Sequence, residues 1–267
     1  MTHHIELLDK HVSFEGEQRF YRDYAEPLER DVELAIYVPT AALEEQYCPV
    51  VYFLPDLHDS ARSTSNQSDY QRYANRYETI LVIPDLFGDY EGDTHTKLQR
   101  YHAERAQIHE YILKNLPAVI EHHFRAYEIR SIMGFGFGGT LAMNLALAHP
   151  EAFRGVSAMA PWLGFYHSPW YRDNLADLNF EPDIDPLNWF EENNDKDILP
   201  LWIDQGMDDD LLGRLIHIDT FEQSVTEHKD NEKVWINQRP RYDHTFYFVH
   251  SHIREHFVFH NEHHDDE

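Results

Sequence analysis

The chain has 267 residues, a single cysteine, and 48 acidic against 22 basic side chains, which gives a formal net charge of −26. That balance excludes nucleic acid and anionic membranes as natural partners, because their phosphates would be repelled. The lone Cys48 likewise excludes an internal disulfide framework.

The length suits one large α/β domain, 1–267, and no Pro/Gly/Ser-rich or low-complexity stretch divides it. The start, MTHHIELLDK, has no apolar signal-type core, and the longest apolar runs are far too short to span a bilayer. A cytoplasmic protein is therefore expected. The acid excess is concentrated at 173–232, where 18 acids face 3 bases. A solubilising surface accounts for this, with docking of a basic partner or adaptation to high salt as the other readings.

In chain order, strands are predicted over 32–38, 49–54, 79–84, 129–133, 155–160, 199–204 and 233–237, and helices over 98–124, 138–149, 212–228 and 244–260. Continuous apolar runs such as VVYFL, ILVIP and LPLWID argue for a mostly parallel central sheet with helices on both faces. Ligands of such sheets bind beyond the carboxyl ends of the strands. Four strand ends carry candidate chemistry there: Pro55-Asp56-Leu57-His58, the glycine turn Gly134-Phe135-Gly136-Phe137-Gly138, Asp208-Asp209-Asp210, and Tyr242-Asp243-His244. A strand–turn–helix elbow, then an acid, then a histidine is the chain order of the Ser–Asp–His triad on an α/β-hydrolase sheet. The elbow here is glycine at its tip.

These segments resemble the S-formylglutathione hydrolase and esterase D branch of the α/β-hydrolases. IDQGMDDDLL (203–212) is similar to the family's acid segment, YDHTFYFVHSHIREH (242–256) to its histidine segment, and SAMAP (157–161) follows the elbow helix as the family has it. The resemblance runs from ELAIYVP (33–39) and CPVVYFLPDL (48–57) onward. It implies the triad acid at Asp209, the general base at His244, the nucleophile position at Gly136, and oxyanion-hole N–H groups at Leu57 and Phe137. Three places depart from the family. Phe135-Gly136 stands where it has histidine and serine, Pro55-Asp56 where it has serine and glycine, and DLFGDYEGDTHTK (85–97) lacks its aromatic, glycine-rich substrate segment. A carboxylate at Asp56 would oppose a developing oxyanion. The expectation is a homologue without the serine nucleophile, inactive as a serine esterase and acting in binding, regulation or structure. The alternative is an ester or thioester hydrolase in which His244 and Asp209 activate water.

Two further readings fit parts of the same segments. Nucleotide binding at the glycine turn is the less favoured one: Gly134, Gly136 and Gly139 spell G-x-G-x-x-G after a strand, but the acid expected about 20 residues on is absent from Ser157-Ala158-Met159-Ala160. A divalent-ion site would join Asp56 or His58 to Asp209 and His244, but no compact ligand motif supports it, so neither cofactor nor metal is expected. His252, His256 and His260 fall on one helix face leading into the tail HNEHHDDE, where adventitious metal uptake is the expectation. The aromatic stretch PWLGFYHSPWYRDNLADLNF opens a cap-like segment, 161–195, expected to pack on the core at the mouth of the site, and its surface leaves a homodimer open. A small-molecule ligand or a protein partner remains the expected kind of contact.

Overall fold

The computed structural model describes residues 4–67 and 69–264. Its strands are β1 Ile5–Ser13, β2 Gly16–Ala25, β3 Arg30–Val38, β4 Cys48–Leu54, β5 Ile80–Pro84, β6 Ala126–Phe135, β7 Val156–Met159, β8 Leu201–Gly206 and β9 Val234–Arg239. They form one sheet in the order β1-β2-β3-β5-β4-β6-β7-β8-β9. The pairs β1/β2, β2/β3 and β3/β5 are antiparallel, and from β5 onward all neighbours are parallel.

The parallel strands read as unbroken apolar runs because both of their faces are covered. Along β4, Val50, Tyr52 and Leu54 enter one hydrophobic cluster, while Val51 and Phe53 enter the other. The elbow helix Phe137–Ala148 covers the first face, with helices Thr94–Glu110, Leu116–His123 and Ile218–Glu227 beside it. Helices Ala61–Gln67 and Tyr70–Arg76 and the C-terminal helix Phe246–His264 cover the second. No helix among the described residues is long and apolar enough to cross a membrane.

All seven predicted strands form; β1 and β2 were not foreseen. The predicted helix 98–124 begins earlier, at Thr94, and is interrupted at Tyr111–Asn115, ahead of Pro117, which has no N–H to continue the ladder. The predicted helix 212–228 starts only at Ile218, since Gly213 has φ 75° and the preceding residues fold into turns. Within the cap, Trp162, Phe165, Tyr171, Phe180 and Phe190 are buried in the first cluster. Asp185, fully buried, ties the segment together by accepting from the N–H groups of Gly164, Tyr166 and Leu187.

Candidate active site

β6 ends at Phe135, the elbow helix begins at Phe137, and Gly136 between them has φ 55° and ψ −128°. An L side chain rarely adopts that conformation. The turn is also tight: a Cβ on Gly138 would strike the carbonyls of Leu54 and Pro55. A Cβ on Gly136 would overlap the carboxylate of Asp56.

Four strand ends converge on this turn. Asp209, in the loop after β8, is buried, while its neighbours Asp208 and Asp210 are less enclosed. Gln205 donates to its Oδ2 at 3.1 Å and the Leu211 N–H to its Oδ1 at 2.8 Å. The same Oδ2 lies 2.8 Å from Nδ1 of His244, which follows β9. A carboxylate can only accept here, so Nδ1 carries the hydrogen and Nε2 points at the elbow. Across from it, the Asp56 carboxylate takes the Phe137 N–H at 2.7 Å on Oδ1, and the Leu57 N–H dipole also favours its ionised form. Its Oδ2 stands 3.7 Å from His244 Nε2, an ion-pair separation, and Nε2 has no hydrogen-bond partner among the described residues. Phe135 stacks on the imidazole, ring centroids 4.7 Å apart.

Electrostatics follow from that packing. Burial pulls the His244 pKa down, but Asp209 and Asp56 outweigh it and raise it to about 10. For Asp56 burial opposes ionisation, and His244 with the Phe137 and Leu57 N–H groups overrides it, holding the carboxyl below its usual range. At neutral pH the centre is an imidazolium between two carboxylates. Asp59 lies close by. Burial and the repulsion of Asp56 push its carboxyl up to about 6.

The structure therefore brings Asp56, Leu57, Phe135, Gly136, Phe137, Asp209 and His244 to one place. It leaves His58 out: that ring is exposed and shares a 3.0 Å hydrogen bond with Thr94. Two neighbours were not foreseen. The nearly buried Lys97 donates its ammonium to the Leu57 carbonyl at 3.1 Å, tethering the backbone just after Asp56. Asp59, half-buried, was hidden in PDLHDS because nothing in the spacing marks it as enclosed. Cys48 is packed at the base of β4, where burial pushes its thiol up to about 11.

The reading of the C-terminal histidines is corrected. The helix continues to His264, and His252, His256, His260 and His264 are all buried on the face that meets the sheet. His256 Nε2 is 3.0 Å from Asp204 Oδ2, and His260 and His264 hydrogen-bond Ser157 and Ser131 at 2.9 and 3.0 Å. Among the described residues no group of three potential ligands is placed to hold a metal ion. The rest of the expected exposed tail, 265–267, lies outside the described residues.

The "Putative esterase" family model matches residues 25–260. Among solved structures, the chain is similar to an S-formylglutathione hydrolase from Agrobacterium tumefaciens at 27% identity and a TM-score of 0.83, covering 97% of this chain and 99% of that one. An S-formylglutathione hydrolase from Staphylococcus aureus aligns at 15% identity and TM-score 0.69, over 98% of each chain. A ferulic acid esterase from Anaeromyces mucronatus aligns at 14% and 0.69, over 94% and 91%. The latter two likenesses concern the fold, which is of the α/β-hydrolase type, with its mostly parallel sheet and flanking helices.

Proposed function

The chain belongs to the esterase family, and from that premise we propose that it has left the serine route of ester hydrolysis and keeps its site for binding rather than ester turnover. In this reading Gly136 occupies the nucleophile position, Asp209 and His244 the remaining triad positions, and Leu57 and Phe137 the oxyanion-hole positions. One observation carries it: the Asp56 carboxylate lies where the Cβ of any residue at position 136 would be, and it already holds the Phe137 N–H. An acyl-enzyme needs a hydroxyl at the elbow, a neutral imidazole to deprotonate it, and free N–H groups to receive the oxyanion. Gly136 has no side chain, His244 is held protonated with its pKa at about 10, and the Phe137 N–H is taken. The same charged state argues against His244 and Asp209 activating water directly on an ester.

Purified protein should show no burst and negligible turnover with p-nitrophenyl acetate or S-formylglutathione. Robust turnover that disappears in His244→Ala would overturn the proposal. A small-molecule ligand would have to compete with Asp56 for the Phe137 N–H, and a thermal-shift screen reads such binding with no assumption about chemistry.

A further inference from the structure

The volume over the elbow is filled by a carboxylate for which ester hydrolysis has no use. We propose that the glycine elbow is a receptor for one small carboxylate and that Asp56 is its resident ligand, an autoinhibitory contact that closes the site to carboxylates from solution. This inference rests on the reading that Gly136 brings no nucleophile of its own, and it deepens the binding role by naming the ligand class and the contact that controls it.

Three contacts define the receptor. The carboxylate lies over Gly136, in the volume that a Cβ there would fill. Its Oδ1 accepts the Phe137 N–H at 2.7 Å, the first amide of the helix that runs from Phe137 to Ala148. Such an amide has no partner within its own helix and favours an anion. Oδ2 lies 3.7 Å from His244 Nε2, which has no hydrogen-bond partner among the described residues. Asp56 comes from the loop after β4, whereas Gly136 and Phe137 lie on the turn after β6 and His244 follows β9. The elements that form the receptor are thus separate from the one that fills it, so the anion can be supplied from elsewhere.

Size and charge set the ligand. Asp56→Ala removes a carboxyl group, whose atoms are those of formate; Asp56→Gly removes the methylene as well, and the space left matches acetate. The Asp56 side chain is 15% exposed, so the volume it vacates reaches solvent. Asp209 and Asp59 also act on the imidazole, but an external carboxylate only restores the charge that truncation removes. In the parent the site stays closed, because a carboxylate tethered through one methylene has an effective concentration that a free anion does not match.

The test adds sodium formate to full-length Asp56→Ala and reads thermal unfolding against sodium chloride of equal ionic strength. So small a ligand binds no tighter than about 1 mM. At about ten times the half-saturating concentration the variant should melt about 3–6 °C higher than in chloride. Acetate should do the same for Asp56→Gly and act more weakly on Asp56→Ala, whose Cβ takes the place of the methyl group. The parent, and Asp56→Asn, whose amide still fills the volume, should gain nothing beyond the chloride control. By NMR titration the His244 pKa should fall in Asp56→Ala and rise again with formate, a response that a purely structural Asp56 would not give. Equal gains in all the proteins, or no saturable gain in either truncated variant, overturn the proposal. If truncation prevents folding, the same anions should restore it on refolding, and their failure overturns the proposal equally. p-Nitrophenyl acetate run on the parent separates the two readings: ester turnover that depends on His244 sinks the loss of the serine route, while absent rescue sinks the resident ligand alone.

Discussion

Gly136 and Asp56 fit each other: the glycine has no Cβ, and the carboxylate fills the space it leaves. Gly136→Ser must therefore both adopt φ near 55° and displace Asp56 from the Phe137 N–H. The backbone alone costs about 1–2 kcal/mol, and each kcal/mol shifts the melting temperature by roughly 2–4 °C in a chain of this size. The single variant should melt lower than the parent and gain little ester hydrolysis. Adding Asp56→Gly should recover part of the stability and raise the rate by more than the two single changes combined, because both residues compete for one volume. Ester rates and melting curves for parent, singles and double decide it; additive effects would mean that the two positions do not interact. The sequence made the residues of the site legible, since strand ends and chain order are visible in it. It showed Asp56 as an unfavourable charge near the oxyanion position, but not that the carboxylate occupies the elbow, because side-chain direction across two loops is set by packing.

His244 gives the same site a pH signature. Its folded pKa, about 10, lies above the ordinary value of 6.5. The native state thus binds the extra proton in between, and stability from this group is complete below about pH 6.5 and lost as pH rises toward 10. Denaturant unfolding should show stability falling through that alkaline window. Asp56→Asn removes one of the two carboxylates that raise the pKa and should flatten the fall; an unchanged slope would place the alkaline loss elsewhere.

At the scale of elements, the C-terminal helix holds its histidines against successive strands: Asp204 on β8, Ser157 on β7 and Ser131 on β6. Asp204 also accepts from Arg239 at 2.6 Å and Trp202 at 3.0 Å, and although burial opposes it, His256 together with these two partners lowers its pKa to about 2. Burial, joined by the charge of nearby histidines, keeps His260 well below its usual range. In this case the unfolded chain binds the proton first, so stability falls as pH drops below about 6.5. His260→Leu with Ser157→Ala, which removes both partners and leaves no buried hydroxyl unsatisfied, should reduce the acid slope by up to one proton, about 1.4 kcal/mol per pH unit. Denaturant titrations at pH 4.5–6.5 measure it, and an unaltered slope would exonerate His260. The four-residue spacing was visible in the sequence, but its burial was not, because polar imidazoles carry no hydrophobic period. The β1–β2 hairpin was missed for a related reason. Its turn, Phe14-Glu15, has φ of 48° and 71° at residues that do not advertise it, and β1 is exposed at most positions on both faces.

Across the whole molecule, the buried parallel strands were the legible part, since a sheet covered on both sides writes long apolar runs into the chain. The antiparallel edge departs from that pattern. Among the described residues β1 pairs in the sheet with β2 alone, with Leu7 50% and Val12 78% exposed, whereas every residue of β5 is buried. Distance from the middle of the sheet thus becomes a clock. In deuterated water the amides of β1 should exchange through local fraying while those of β4 and β6 wait for global opening. The loops carrying Asp56 and Gly136 leave those two slowest strands, so the chemistry sits on the part of the molecule that opens last, and wear on the outer hairpin should reach it only after a long delay.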